Sequence, residues 1–117
     1  MSSRRDLKPA TAAHIVRLKA QFVDTFASRA DQMEQWQDQC LADPPDREAL
    51  RMLRTEVHQL RGSAGLFELK DLFEEFDALQ GELDQLLEER PARGLPAETR
   101  HRMHRVLQLM RYPGRFL

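Results

Sequence analysis

A chain of 117 residues, 41% hydrophobic and 32% charged, carries one core's worth of apolar side chains under a well-solvated surface, so one domain is expected over residues 1–117. It holds no run of about 18 apolar residues, which excludes a membrane-spanning helix, and the opening Met1-Ser2-Ser3-Arg4-Arg5-Asp6 lacks the apolar stretch of a secretory signal. A net charge of −1 without a basic patch interleaved with aromatics argues against nucleic-acid binding, and the single cysteine, Cys40, leaves no intrachain disulfide, so a cytoplasmic setting is expected.

Strand signals are absent and the helix formers Ala, Leu, Glu, Gln, Arg and Met dominate, with prolines only between periodic segments. Residues 1–10 read as a tail. A first helix is expected from about Thr11 to Leu41, with room for a bend, offering Ile15, Leu18, Phe22, Phe26, Met33 and Trp36 as an apolar stripe. Asp43-Pro44-Pro45-Asp46 breaks the chain, with Asp43 or Asp46 as N-cap of a second helix running to about Phe67. The turn near Gly65 to Asp71 is the least marked. A third helix covers roughly Leu69 to Glu89, turning Leu72, Phe73, Phe76, Leu79, Leu83, Leu86 and Leu87 inward. After the break Pro91-Ala92-Arg93-Gly94-Leu95-Pro96, a fourth runs from about Ala97 to Arg111 on Met103, Val106, Leu107 and Met110. Tyr112-Pro113-Gly114 ends it, leaving residues 112–117 as a C-terminal tail. Four such stripes close into an all-α, antiparallel up-and-down four-helix bundle. Residues 68–90 carry nine acids against two bases and residues 91–117 six bases against one acid, which favours the last two helices as neighbours.

The second helix carries the chemistry. At 100° per residue, Ala49, Leu53, Leu60, Ala64 and Phe67 form its core side, with Val57 at the edge. Opposite lie Arg51, Arg54, His58, Arg61, Gly62 and Gly65, a face without a carboxylate. Each glycine costs about 1 kcal/mol against alanine inside a helix. Gly65 could end the helix, but the helical pattern continues beyond Gly62, where a bare backbone would let a partner surface approach closely. An imidazole is largely neutral at cellular pH, so a ring nitrogen of His58 is available to attack. Arg54 and Arg61, one turn to either side, are placed to neutralise a phosphoryl group held there.

The stretch Glu56-Val57-His58-Gln59-Leu60-Arg61-Gly62-Ser63-Ala64-Gly65 resembles the signature of the histidine-containing phosphotransfer (HPt) domain family: a histidine, an apolar residue two on, Lys or Arg at three, Gly at four, then small residues. The motif spans ten residues and the four-helix plan extends the likeness over most of the chain. The resemblance implies that His58 is the phosphorylated residue, relaying a phosphoryl group between receiver-domain aspartates. Arg61 takes the motif's basic position, Gly62 its close-approach glycine and Gly65 its second small site. Arg61 and Arg54 would support the phosphate; Gly62, Gly65, Arg51, Leu66 and Glu68 would dock the partner. Family members often carry glycine where this chain has Glu68, so Glu68→Gly is expected to speed transfer. The partners implied are response-regulator receiver domains and a hybrid or sensor histidine kinase. Mg²⁺ is expected on the receiver and no cofactor or metal on this chain, a monomeric phosphocarrier rather than an enzyme.

Other motifs are weaker. His101 and His104 lie at i and i+3 among Arg100, Arg102 and Arg105, and two histidines fall short of the four ligands of a structural metal site. His14 has no chemical context, Cys40 reads as a buried small residue, and no phosphate-cradling glycine loop or nucleophile elbow occurs. The alternative to a carrier is an HPt-like helical module that docks on a kinase or receiver without carrying phosphate.

Overall fold

The structure, a computed structural model, describes residues 9–89 and 94–116. Most of the expected N-terminal tail and residues 91–93 of the second proline break lie outside the described residues. Five α-helices follow in order: α1 (Pro9–Asp24), α2 (Phe26–Cys40), α3 (Arg47–Leu66), α4 (Lys70–Glu88) and α5 (Ala97–Arg111). No strand occurs among the described residues. No helix among them is long and apolar enough to cross a membrane. Two expectations are corrected at the ends. Residues 9 and 10 belong to α1 rather than a tail, since proline is tolerated in a first turn. Pro113–Phe116 form a 3-10 turn where a tail was expected.

The expected first helix is two. Thr25 N–H bonds Phe22 O at 3.0 Å, an i−3 pairing, and the Thr25 hydroxyl donates to the same carbonyl at 2.7 Å. This side-chain back-bond draws one turn tight and interrupts the i−4 ladder. Helical bonding resumes at once, with Arg29 N–H on Thr25 O at 3.1 Å. Thirty-two residues of nearly continuous helix measure about 48 Å at 1.5 Å each, which accounts for most of the molecule's 53 Å long axis.

The start and end of α3 follow from local chemistry. Asp46 Oδ1 accepts from the Glu48 and Ala49 amides at 3.0 and 3.1 Å, so Asp46 rather than Asp43 is the cap. At the far end Leu69 N–H reaches Ala64 O at 2.9 Å and Glu68 N–H reaches Gly65 O at 3.2 Å. This is the Schellman pairing, and it requires its C′ residue to be left-handed. Glu68 occupies that position with φ 56°. The turn is therefore three residues long, Phe67 to Leu69, and forces α4 to return antiparallel against α3.

The ion pairs record the same topology. Along α3, Arg54, His58 and Arg61 meet Asp84, Gln80 and Asp77 of α4, so one helix ascends as the other descends. Arg102 of α5 bonds Glu75 and Glu82 of α4, and Arg111 bonds Asp31 and Glu34 of α2. The acidic and basic halves of the C-terminal region are thus adjacent, as their charges favoured. α2 packs on α3 and α5, and α4 on the same two, closing a four-membered ring.

Phe26, Met33, Leu53, Val57, Leu60, Leu72, Phe76, Leu79, Leu83, Met103, Val106 and Met110 are fully buried at the centre of that ring. Val57, expected at the edge, is inside it, and Phe67 is only half-buried. Phe22 ties α1 to the α3–α4 corner, its ring 4.9 Å from Phe26 edge-on and 5.6 Å from Phe67 in a stack. Before Phe22, α1 runs past the ring: Val16 is 66% and Leu18 38% exposed. The stripe expectation fails for Leu18, which is left exposed where α1 runs past the ring.

Candidate functional site

His58 lies past the midpoint of α3, exposed, on the groove where α4 passes. Its Nδ1 is 3.2 Å from Gln80 Oε1. An amide oxygen can only accept, so the contact is a hydrogen bond in the tautomer that carries its proton on Nδ1, which leaves the Nε2 lone pair open.

The two arginines extend sideways, not straight out. Arg54 Nε donates to Asp84 Oδ1 at 2.6 Å, and Arg61 Nε donates to Asp77 Oδ1 at 2.7 Å. Arg61 also lies over the Phe73 ring, 4.9 Å from its centroid. The helix-wheel expectation of a face without carboxylates holds for α3 alone; α4 brings two to it. Gln80, Asp77 and Asp84 escape a reading of the second helix by itself. Their signal is the short Phe67–Leu69 turn, which fixes the antiparallel register and so the facing residues.

The remaining expected residues divide by surroundings. A Cβ at Gly62 would meet nothing within 4 Å among the described residues, so no packing inside the fold accounts for that glycine. A Cβ at Gly65 would lie 3.2 and 3.3 Å from two carbons of the Phe73 ring. Close packing of α4 on α3 explains Gly65 without any partner, and it lies inside α3 rather than ending it. Leu66, two turns beyond His58 on the same row as Gly62, is 64% exposed. Arg51 is exposed and paired with Glu48 at 3.1 Å. Glu68 stands at the corner of the same end in its left-handed conformation.

The side chains away from this groove hold no comparable arrangement. Among the described residues no three His, Cys, Asp or Glu side chains converge as metal ligands, the pair His101 and His104 included. Cys40 is buried at the end of α2, and burial, with the Asp46 carboxylate nearby, pushes its thiol up to about 11. A thiol held neutral in this way is a poor nucleophile.

The arrangement is thus a single exposed imidazole that meets an amide oxygen at Nδ1, an arginine one turn to either side along the helix, and an open backbone beside it. It can accept an electrophilic group at Nε2 and offset negative charge placed there. No protein-family model, curated protein or solved structure matches the chain.

Proposed function

We propose that the protein is a histidine-phosphotransfer carrier with an HPt-like bundle, which takes a phosphoryl group from the aspartyl phosphate of one receiver domain onto His58 and yields it to another. The observation that carries the reading is His58 itself: exposed, with Nδ1 3.2 Å from the Gln80 amide oxygen, a pairing that in the Nδ1–H tautomer leaves Nε2 as the nucleophile. In the forward step the Nε2 lone pair attacks phosphorus. The bond from phosphorus to the aspartate oxygen breaks, and the carboxylate leaves with the electron pair. The ring keeps its Nδ1 proton and becomes cationic, so its hydrogen bond to Gln80 strengthens on loading. Reversal of these events on a second receiver completes the relay.

Phosphoryl transfer asks for positioning and charge neutralisation more than covalent help. On this chain Arg54 and Arg61 supply the positive charge. The receiver's aspartates would hold the Mg²⁺ that neutralises the phosphoryl oxygens, with no metal required here. Gly62, with open space over its backbone, lets the receiver surface settle beside the imidazole, and Leu66 extends the contact along the same row. Such a carrier acts in the cytoplasm as a monomer, between receiver domains and a hybrid or sensor histidine kinase.

One observation favours a second reading. Both arginines are already engaged by α4 carboxylates, which suits an HPt-like docking module that binds a receiver or kinase without carrying phosphate. A transfer assay separates the two. Wild type and His58→Gln are incubated with phosphorylated receiver domains, and label is followed on this chain. Acid-labile, base-stable label on wild type alone supports the carrier. Absence of label across a broad receiver panel, with both variants folded and the receivers bound, assigns the docking role.

A further inference from the structure

The groove beside His58 pairs two triads. α3 presents Arg54, His58 and Arg61; α4 answers with Asp84, Gln80 and Asp77, at i+7, i+3 and i along its own face. Each guanidinium touches its carboxylate through Nε, and its Nη atoms carry four further N–H donors for an anion. These pairs are half-exposed, 32% and 42% for Arg54 and Asp84, 35% and 56% for Arg61 and Asp77, and hence weak enough to exchange.

A phosphoryl group on Nε2 changes the charge count of this cluster. Before loading, two cations face two carboxylates. After it, the same two guanidinium groups and the now cationic ring face two carboxylates and a phosphoryl group that brings more negative charge than the ring gains, all within about one turn of His58 to either side. An arginine that turns to the phosphoryl leaves its aspartate unpaired, and one that stays with its aspartate leaves the phosphoryl less neutralised. Either way the loaded state is raised relative to one in which α4 carried neutral side chains.

Resting on the carrier reading above, we propose that Asp77 and Asp84 act as competing carboxylates that limit how tightly His58 holds its phosphoryl group, and so keep the group transferable to an aspartate. They are positioning residues acting through Arg61 and Arg54, and neither touches the reacting atoms.

The test uses the full chain and a small-molecule donor, N-phosphoimidazole, so no receiver is needed. The His58 Nε2 lone pair attacks phosphorus, the donor's P–N bond breaks, and imidazole departs with the electron pair. The equilibrium between phospho-His58 plus imidazole and His58 plus N-phosphoimidazole is read by phosphorus NMR. Asp77→Asn and Asp84→Asn should each move it toward phospho-His58 by about two- to fivefold, the range expected for removing one half-exposed competing charge. Asp31→Asn, which loosens the distant Arg111 pair on α2, should leave it unchanged. Label on His58 in all variants with the equilibrium unmoved by either α4 substitution overturns this proposal and leaves the carrier reading standing. No label on folded wild type removes the carrier reading and this proposal together.

Discussion

Replacing Glu68 by glycine tests the corner that joins the site helix to its partner. Glu68 sits at the C′ position of α3 with φ 56°, in a turn closed by the bonds from Leu69 to Ala64 and from Glu68 to Gly65. A side chain bearing Cβ costs roughly 1–2 kcal/mol in the left-handed region. Glycine removes that strain but loses more freedom on folding, about 0.5–1 kcal/mol. The net expectation is a gain of about 0.5–1 kcal/mol, or roughly 2–4 °C for a domain of this size. The control is Glu68→Ala, which deletes the carboxylate and every contact it makes yet keeps Cβ. Urea unfolding followed by helical circular dichroism should place the glycine midpoint above the alanine midpoint at equal slope. A glycine midpoint at or below alanine's refutes the strain argument. If stability rises as expected, the same variant tested for receiver transfer separates a carboxylate that hinders docking from a merely strained corner, because only the former accelerates transfer in alanine and glycine variants alike.

Gly62→Ala should stabilise the protein by about 1 kcal/mol in the same unfolding assay, since alanine is the better helix former and its Cβ meets open space. Gly65→Ala should gain distinctly less, because the new methyl presses on the Phe73 ring; equal gains refute the packing explanation. Gly62→Leu should keep the fold and slow receiver transfer at least tenfold, and an unchanged rate removes the close-approach role. Cys40 gives a pH dependence of definite sign: its thiol is raised in the folded state from 9.0 to about 11, so the contribution is complete below pH 9 and fades as pH rises through 11. Wild type should therefore lose about 1 kcal/mol more than Cys40→Ala between pH 8 and pH 10, compared by urea midpoints.

The core faces of α3, α4 and α5 were legible because each burial stripe repeats at helical spacing, and the cap of α3 was legible only down to Asp43 or Asp46, since both are short acceptors before an apolar run. The break at Thr25 was not, since no proline or glycine marks it and a threonine hydroxyl back-bonding to Phe22 has no periodic signature. Leu18 shares the stripe of Phe22, yet periodicity cannot say whether another helix lies opposite. At the site, a wheel for one helix placed His58, Arg54 and Arg61 together correctly but sent the arginines to solvent. Their long side chains cross the groove instead, toward residues whose facing depends on the register of a turn that carries almost no sequence mark. Gly62 and Gly65 look alike in sequence and differ only because Phe73 stands over one of them.

The bend at Thr25 divides one long rod into two parts with different fates in deuterated water. Beyond it, Phe26, Ala30 and Met33 are sealed in the ring, so those amides exchange only when the bundle opens. Before it, residues 11–20 bury no side chain fully, with only Ile15, Lys19 and Ala20 half-buried, and a segment of that length is marginal by itself in water. Amide protection should therefore fall steeply along this nearly continuous rod, with the step at Phe22, where an aromatic contact ties it to the corner below His58.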